Sequence, residues 1–348
     1  MSQPTRREFV RRAGLAAAFG AFAGDAADRT VAQERTEAPV ARGSVMTVRG
    51  PIPAEDLGVT LVHEHVLVDF VGAAEVGPHR YDRDAAFRRA LPFLREARAH
   101  GVRTLVECTP AYIGRDPQLL LRLSQAADLH ILTNTGYYGA ADDRFVPAHA
   151  FKESGAELAA RWTRESEDGI DGTDVRPGFM KIGVDSGPLS RIDQTLVEAA
   201  VITSKASGLA IASHTGDGVA AHEQMDVIEK AGLSLDTFIW VHAQGERDSA
   251  SIVRGAQRGA WISLDGVSEG SAERHVTLAT ILADAGLLDR VLLSHDAGWY
   301  RVGEPDGGEY RGHTALFTHV VPHLRKRLGD EAVTTILERN PARALARR

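Results

Sequence analysis

The chain has 348 residues, 43% of them hydrophobic, and carries a formal net charge of -7 at pH 7. This length and apolar content predict a globular protein with a sizeable core. Basic residues are spread among acidic ones, so no basic stripe indicates a nucleic-acid partner. A single cysteine, Cys108, excludes an intramolecular disulfide and a cysteine-based zinc site, whereas 14 histidines leave ample ligands for metal.

The first residues have the pattern of a targeting signal. Paired arginines, Arg6 and Arg7, precede an apolar run at residues 13–23 that is too short to span a bilayer. The pattern resembles a twin-arginine export signal, and a basic N-terminus followed by a short helix is the alternative. We expect residues 1–32 to hold the signal peptide and its cleavage region, and residues 33–46 to form a tether outside the fold.

The signal implies that the protein is exported, to the periplasm or the extracellular space, and that the twin-arginine machinery is one of its partners. Because the apolar run is short, we expect no stable membrane span. The other expected partner is a small-molecule substrate, and homodimerisation stays open.

The region from residue 47 to residue 348 alternates short apolar runs with longer amphipathic stretches, which is typical of repeated βα units. Eight strand candidates lie at residues 58–67, 102–109, 129–136, 178–185, 209–215, 237–243, 260–266 and 290–296. Eight such units predict one α/β domain, a (β/α)8 TIM barrel. A doubly wound open sheet is the alternative, but no Gly-rich phosphate turn follows the first strand candidate.

Polar residues interrupt these strand candidates near their C-terminal ends, where barrel enzymes build their active sites. They are His63, His65, Lys181, His214, His242 and Asp296. From Lys181 onward, each member lies about one or two βα units after the one before it. We therefore expect these side chains to converge. His63 and His65, two residues apart, share one face of their strand.

Each of these residues has an ordinary explanation when taken alone. A single buried histidine is usually a hydrogen-bonded structural residue, and a lysine usually extends to the surface. Together they would leave many costly buried polar groups unless something binds them. A set rich in imidazole and free of thiol favours zinc or a similar divalent transition metal.

The motifs that contain these residues resemble the phosphotriesterase-like branch of the amidohydrolase superfamily. They are "GVTLVHEH", "KIGVD", "ASHTGDG", "WVHAQ", "LLSHDAGW" and "ERNPARALA", and the resemblance runs from about residue 47 to the end. It implies two metal ions per chain. His63, His65 and Asp296 would bind one ion, and His214 and His242 would bind the second.

The resemblance also implies that Lys181 is carboxylated on its side-chain nitrogen and that the carbamate bridges the two ions. Such a pair activates a bridging water as hydroxide, and Asp296 is expected to carry the proton toward the leaving group. The predicted activity is metal-dependent hydrolysis of an ester, a lactone or a phosphoester. The alternatives are a metal-dependent nuclease of the TatD type, which tends to have glutamate in place of Lys181, and a non-catalytic metal- or ligand-binding barrel.

The resemblance does not identify the substrate of this protein, because Gly245 and Gly266 stand where better-known members carry polar residues. We expect the substrate pocket to involve Tyr137, Tyr138, Gly266 and Trp299. For the two tyrosines, wedging between strand and helix is the alternative.

The remaining histidines are expected outside the metal site. His295 lies on the strand face opposite to Asp296, so we expect it to support the site from behind. Five others occur in helical patterns and are expected at the surface or at helix caps, namely His222, His275, His313, His319 and His323.

Overall fold

The computed structural model describes residues 41–348, so the predicted signal peptide and most of the predicted tether lie outside the described residues. The assignment of residues 44–46 to the tether is wrong. They belong to strand β1 (Ser44–Thr47), which pairs antiparallel with β2 (Gly50–Pro53). Val45 and Met46 are buried in the core, and this apolar burial joins the segment to the folded region.

The other strands of the described region pair in parallel. They are β3 (Thr60–Glu64), β4 (Leu67–Val68), β5 (Thr104–Glu107), β6 (His130–Leu132), β7 (Asn134–Thr135), β8 (Phe179–Val184), β9 (Ile211–Thr215), β10 (Phe238–Val241), β11 (Trp261–Leu264), β12 (Val291–Leu293) and β13 (Tyr300–Arg301). The pairing order is β3, β5, β6, and then β7, β8, β9, β10, β11, β12, with β7 continuing the line of β6 after Thr133. Each predicted strand range therefore contains an observed strand.

The end of this series returns to its beginning. The amide of Asp296, beyond β12, donates to the carbonyl of His63 at 3.0 Å, and the amide of His65 donates to the carbonyl of Ala297 at 2.8 Å. The result is an α/β fold with parallel strands and helices that is consistent with a TIM barrel. Beyond this ring, β4 pairs with β13.

Helices alternate with the strands. The α-helices of residues 41–348 are α1 (Arg83–Ala99), α2 (Pro117–Ala127), α3 (Gly155–Asp168), α4 (Arg191–Ser207), α5 (Gly218–Lys230), α6 (Ser249–Arg258), α7 (Ala272–Asp284), α8 (Val321–Leu328), α9 (Asp330–Thr334) and α10 (Asn340–Leu345). Short 3-10 helices cover Ala54–Leu57, Pro78–Arg80, Leu235–Thr237, Ala243–Gly245, Leu288–Arg290 and Pro305–Gly307, and π-helices cover Leu316–Val320 and Thr335–Arg339.

The helix boundaries follow from capping. Ser154 and Ser190 cap α3 and α4 with capping boxes, in which the serine hydroxyl accepts a hydrogen bond from a first-turn amide and an acidic side chain of that turn accepts one from the serine amide. Left-handed Gly208 and Gly259 end α4 and α6. Across residues 41–348, every helix falls short of the length and apolar content needed to cross a membrane.

The apolar core has an inner and an outer layer. The inner cluster joins alternate residues of the strands, among them Val106, Phe179, Ile239 and Trp261. The outer cluster packs the other strand faces, such as Leu105 and Ile182, against the helices. Side chains near the end of each strand that face the inner side are thereby directed to one common space.

Strand β3 has a bulge that matters for the site. Leu61 pairs with Leu105 and Glu64 pairs with Glu107, so β3 has one extra residue between these pairs. Bulges of this kind turn side chains to new directions beside active sites. Here Val62 joins the inner apolar cluster while His63, the next residue, also reaches the interior.

Candidate active site

A cavity of about 550 Å³ lies at the C-terminal ends of the strands. Six side chains that line it are those predicted as metal ligands, His63, His65, Lys181, His214, His242 and Asp296. Because consecutive parallel strands end on the same side of the ring, residues far apart in sequence meet here.

The first part of the site, called here the His63 group, consists of His63, His65 and Asp296. The Nε2 atoms of the two histidines are 3.3 Å apart, and Asp296 Oδ1 lies 3.0 Å from His65 Nε2 and 3.6 Å from His63 Nε2. On the far side of its ring, His65 Nδ1 lies 2.8 Å from the hydroxyl of Thr109, which itself donates to the carbonyl of Leu67. His65 Nδ1 therefore donates, and its Nε2 offers a lone pair to the cavity.

The second part, the His214 group, consists of His214 and His242, whose ring centroids are 4.5 Å apart. His214 Nδ1 lies 3.1 Å from the hydroxyl of Tyr138. His242 directly precedes the short 3-10 helix Ala243–Gly245 and has a left-handed φ of 64°. Its ring centroid lies 4.9 Å from that of His63. The two groups are thus neighbours across one cavity.

Asp265, which was not among the predicted site residues, connects the two groups. Its carboxylate lies 3.1 Å from His63 Nδ1 and 2.7 Å from His242 Nδ1, and it also accepts from the hydroxyl of Ser263 at 2.7 Å. Burial alone would raise the pKa of Asp265, but the two histidines outweigh it and hold the pKa well below its usual value. Its place at the end of the seventh strand candidate was the available signal.

Lys181 is 2% exposed, with its ammonium nitrogen 5.6 Å from the centroid of the Tyr138 ring. Burial lowers the pKa of His63 to about 4; Asp265 opposes this shift, and the charge of Lys181 adds to it. Burial also holds the pKa of His214 well below the usual imidazole value. Neutral imidazole is the form that binds metal.

Two of the three aromatic residues predicted for the pocket lie in its lining. Tyr138 and Trp299 line the cavity, together with Phe70, Phe145 and Ile113. Adjacent residues of an extended segment point to opposite sides, so Tyr137 does not share the position of Tyr138.

Tyr137 and Gly266, which were also predicted for the pocket, do not occur in the described lining of this cavity. Tyr137 instead lines a second cavity of about 430 Å³, where its ring lies 5.3 Å from that of Tyr112 and 5.4 Å from that of Trp162. At Gly266 the space is filled by Gln244, whose Nε2 would lie 2.7 Å from an added Cβ, and Gly266 is absent from the described lining of the site cavity.

Two histidines expected at the surface or at caps are buried instead. His313 is 0% exposed, with Nδ1 3.0 Å from Glu64, and His275 is 1% exposed, with Nδ1 2.8 Å from the carbonyl of Ser271. A hydrogen-bonded imidazole is tolerated in a core, which the helical pattern alone does not reveal. His295 lies where expected, behind Asp296, with Nδ1 2.6 Å from Glu64.

The fold and the cavity define a class of α/β protein whose parallel strands bring together side-chain groups that could hold metal ions. The sequence profile described as the Phosphotriesterase family matches residues 43–345, and the chain belongs to this family. It is a phosphotriesterase-family hydrolase.

Curated relatives align over nearly their whole length. The chain is 29% identical to the "Phosphotriesterase homology protein" of Escherichia coli, over 82% of this chain and 97% of the relative. It is 26% identical to the "Aryldialkylphosphatase" of Saccharolobus solfataricus, over 83% and 95%. It is 24% identical to the "N-acetyltaurine hydrolase" of Danio rerio, over 87% and 98%. The names of the second and third relatives describe different substrates.

Proposed function

We propose that this protein is a binuclear metal-dependent hydrolase that cleaves an ester, a lactone or a phosphoester. The observation that carries the proposal is the convergence of the His63 group, the His214 group and Lys181 on one cavity. Two divalent ions, with zinc as the expected metal, would activate a shared water and polarise the carbonyl or phosphoryl oxygen of the substrate.

The residues present fit such ions. The three donor atoms of His63, His65 and Asp296 lie within 4.8 Å of one another. The Nδ1 atoms of His63 and His242 are occupied by Asp265, which leaves their Nε2 atoms as ligands. His63, His65 and Asp296 would hold one ion, and His214 and His242 would hold the other.

Lys181 fits the site best as a carbamate. An ammonium buried beside imidazoles and two cations would repel them, whereas carboxylation of its nitrogen turns it into an anionic oxygen ligand. Lys181 lies in β8, which pairs with the His214 strand β9, and its side chain lines the same cavity as the His63 group. We therefore propose that carboxylated Lys181 bridges the two ions.

Asp296 would handle the proton. Its side chain is 25% exposed at the cavity, so substrate can reach it. Burial would raise its pKa, but the neighbouring His65 and His63 outweigh burial and lower the pKa from its usual value. An ionised Asp296 can accept a proton from the attacking water and deliver it to the leaving group.

The proposal is tested by metal analysis and a substrate panel on the same preparation. We expect about two metal ions per chain in the wild type, and we expect Lys181→Ala to lose them while the surface control Lys230→Ala keeps them. One tightly held ion that survives Lys181→Ala would overturn the bridged site.

The panel should contain lactones, carboxylic esters and phosphotriesters, with N-acyl amides added because one relative is named for an N-acetyl substrate. Turnover that requires metal and is lost in Asp296→Asn supports the proposal. Hydrolysis of nucleic acid in preference to the panel would favour the nuclease alternative. Two bound ions with no turnover would favour a binding protein.

We further propose that the protein is exported through the twin-arginine pathway, with a small molecule as its substrate partner. Arg6 and Arg7 support this proposal, and they lie outside the described residues. Lysine at both positions should trap the precursor in the cytoplasm, as measured by fractionation and immunoblotting. Unchanged export of that variant would contradict the proposed signal.

A further inference from the structure

Glu64 stands between His63 and His65 in sequence but faces the other side of the strand, where it is 0% exposed. A fully buried carboxylate is costly unless its oxygens accept several hydrogen bonds. The proposed chemistry gives this residue no role. Its partners therefore indicate what it does.

Five hydrogen bonds converge on this carboxylate. Oε1 accepts from the hydroxyl of Ser294 at 2.7 Å, from the amide of His295 at 3.0 Å and from His295 Nδ1 at 2.6 Å. Oε2 accepts from the amide of Ala297 and from His313 Nδ1, both at 3.0 Å. Glu64 and these four donor residues are called here the Glu64 cluster.

The donors lie on both sides of Asp296. The backbone amides of the residue before it and of the residue after it both end on Glu64, while its own amide donates to the carbonyl of His63. Asp296 has a left-handed φ of 53°, a conformation that residues other than glycine rarely adopt. Glu64 thus anchors both ends of a strained turn.

Gly298, two residues after Asp296, brings this turn close to His65. Gly298 has a φ of 97°, and a Cβ there would overlap the carbonyl oxygen of His65. The turn therefore lies directly against the strand that carries two of the proposed ligands. A shift of this backbone would move Asp296 relative to His63 and His65.

The spacing of Glu64, His295 and His313 would also allow a metal ion, but their hydrogen bonds favour a structural cluster. His295 Nε2 accepts the backbone amide of Leu316 at 3.0 Å, so the hydrogen of its neutral ring lies on Nδ1 and donates to Glu64. Two further donors to Glu64 are backbone amides, which cannot make way for a metal.

We propose that Glu64 is a positioning residue that holds Asp296 in the geometry required by the metal centre. The proposal rests on the proposed function, because Asp296 is there both a ligand and the proton carrier. Glu64 acts through the backbone of residues 294–297 and does not touch substrate.

Glu64→Gln tests the proposal with little change in size. An amide offers one acceptor oxygen and one NH2 group, so at least one backbone amide beside Asp296 loses its acceptor. We expect the purified variant to hold about one metal ion per chain in place of about two, with kcat about 10–100-fold lower and KM little changed. Leu123→Ala in α2, a core variant far from the site, controls for general destabilisation and should keep both ions.

His313 provides a second pair of variants if Glu64→Gln folds poorly. The amide nitrogen of asparagine can take the place of Nδ1, so His313→Asn should retain metal content and kcat. His313→Leu removes the donor, and its metal content and kcat should fall as they do in Glu64→Gln. Equal loss in both His313 variants would indicate a packing role and would overturn the proposal.

A crystal structure of Glu64→Gln separates this proposal from the proposed function. The expected result is that Asp296 Oδ1 moves away from its position 3.0 Å from His65 Nε2. If it stays in place, Glu64 does not position Asp296, whatever the wild type binds. If it moves while the wild type holds no metal, the positioning stands and the proposed function fails.

Discussion

The Nδ1 atom of His242 lies 2.7 Å from Oδ1 of Asp265, at the back of the candidate active site. The other oxygen of the same carboxylate lies 3.1 Å from Nδ1 of His63. One buried aspartate therefore orients a proposed ligand from each of the two metal positions. A carboxylate behind a metal-binding histidine fixes the ring and its tautomer.

We expect Asp265→Asn to weaken metal binding by about 10–100-fold. Only the oxygen of an asparagine amide accepts a hydrogen bond, so one of the two histidine rings loses its acceptor. The measurement is a competition titration of the metal-free protein against a chelator of known affinity. Asp289→Asn is the matched control, since Asp289 pairs with Arg343 at the surface. Equal affinities in wild type and Asp265→Asn would show that this carboxylate does not orient the ligands.

Gly298 and Gly303 allow backbone strain to be separated from close packing. Both have a left-handed φ, of 97° and 91°, but an added Cβ meets the carbonyl of His65 only at Gly298 and meets nothing within 4 Å at Gly303. We expect Gly298→Ala to lower the free energy of unfolding by about 3 kcal/mol or more, and Gly303→Ala by about 1 kcal/mol. Thermal unfolding of the two variants side by side gives the comparison, and similar losses would contradict the packing argument.

Phe70 is expected to contribute to substrate binding. It lines the cavity, is 39% exposed, and its ring centroid lies 5.5 Å from that of Trp299. Phe70→Ala should raise KM for substrates with an aryl or alkyl group by roughly 10-fold, because it removes apolar contact area, with a smaller change in kcat. Phe151→Ala, at an exposed position away from this cavity, should leave KM unchanged. A lowered kcat with constant KM would place Phe70 in the chemical step instead.

Cys108 is expected to resist alkylation in the folded protein. It is 1% exposed, and burial raises the pKa of its thiol well above the ordinary value. The thiolate is the reactive form of cysteine. At both pH 8 and pH 9, the alkylation rate of Cys108 in the native protein should therefore stay at least about 100-fold below the rate in the urea-unfolded chain. Mass spectrometry after timed iodoacetamide treatment measures both rates. Native labelling that rises with pH as for a free thiol would contradict the burial of Cys108.

The strand series illustrates what could be read from the sequence. Each predicted range contains an observed strand, and His63, His65, Lys181, His214, His242 and Asp296 line one cavity as expected. These inferences succeeded because they depend on local periodicity and on a rule of parallel folds, that strand ends gather on one side. The metal-binding roles of the six residues stay a prediction.

Other features depend on contacts between distant parts of the chain. Glu64 meets His313, and His63 meets Asp265, across separations that no local pattern encodes. Which of Tyr137 and Tyr138 faces the cavity likewise depends on a distant partner, because Tyr138 forms a parallel β-bridge with Gly183.

The sequence by itself determined the order of the βα units and the residue types that gather at their ends, because both are properties of short segments. Only the tertiary structure decided the bulge in β3, the burial of His313 and the two carboxylates, Glu64 and Asp265, that support the site. The physical reason is that buried polar groups must find partners, and those partners come from whichever strand packs alongside.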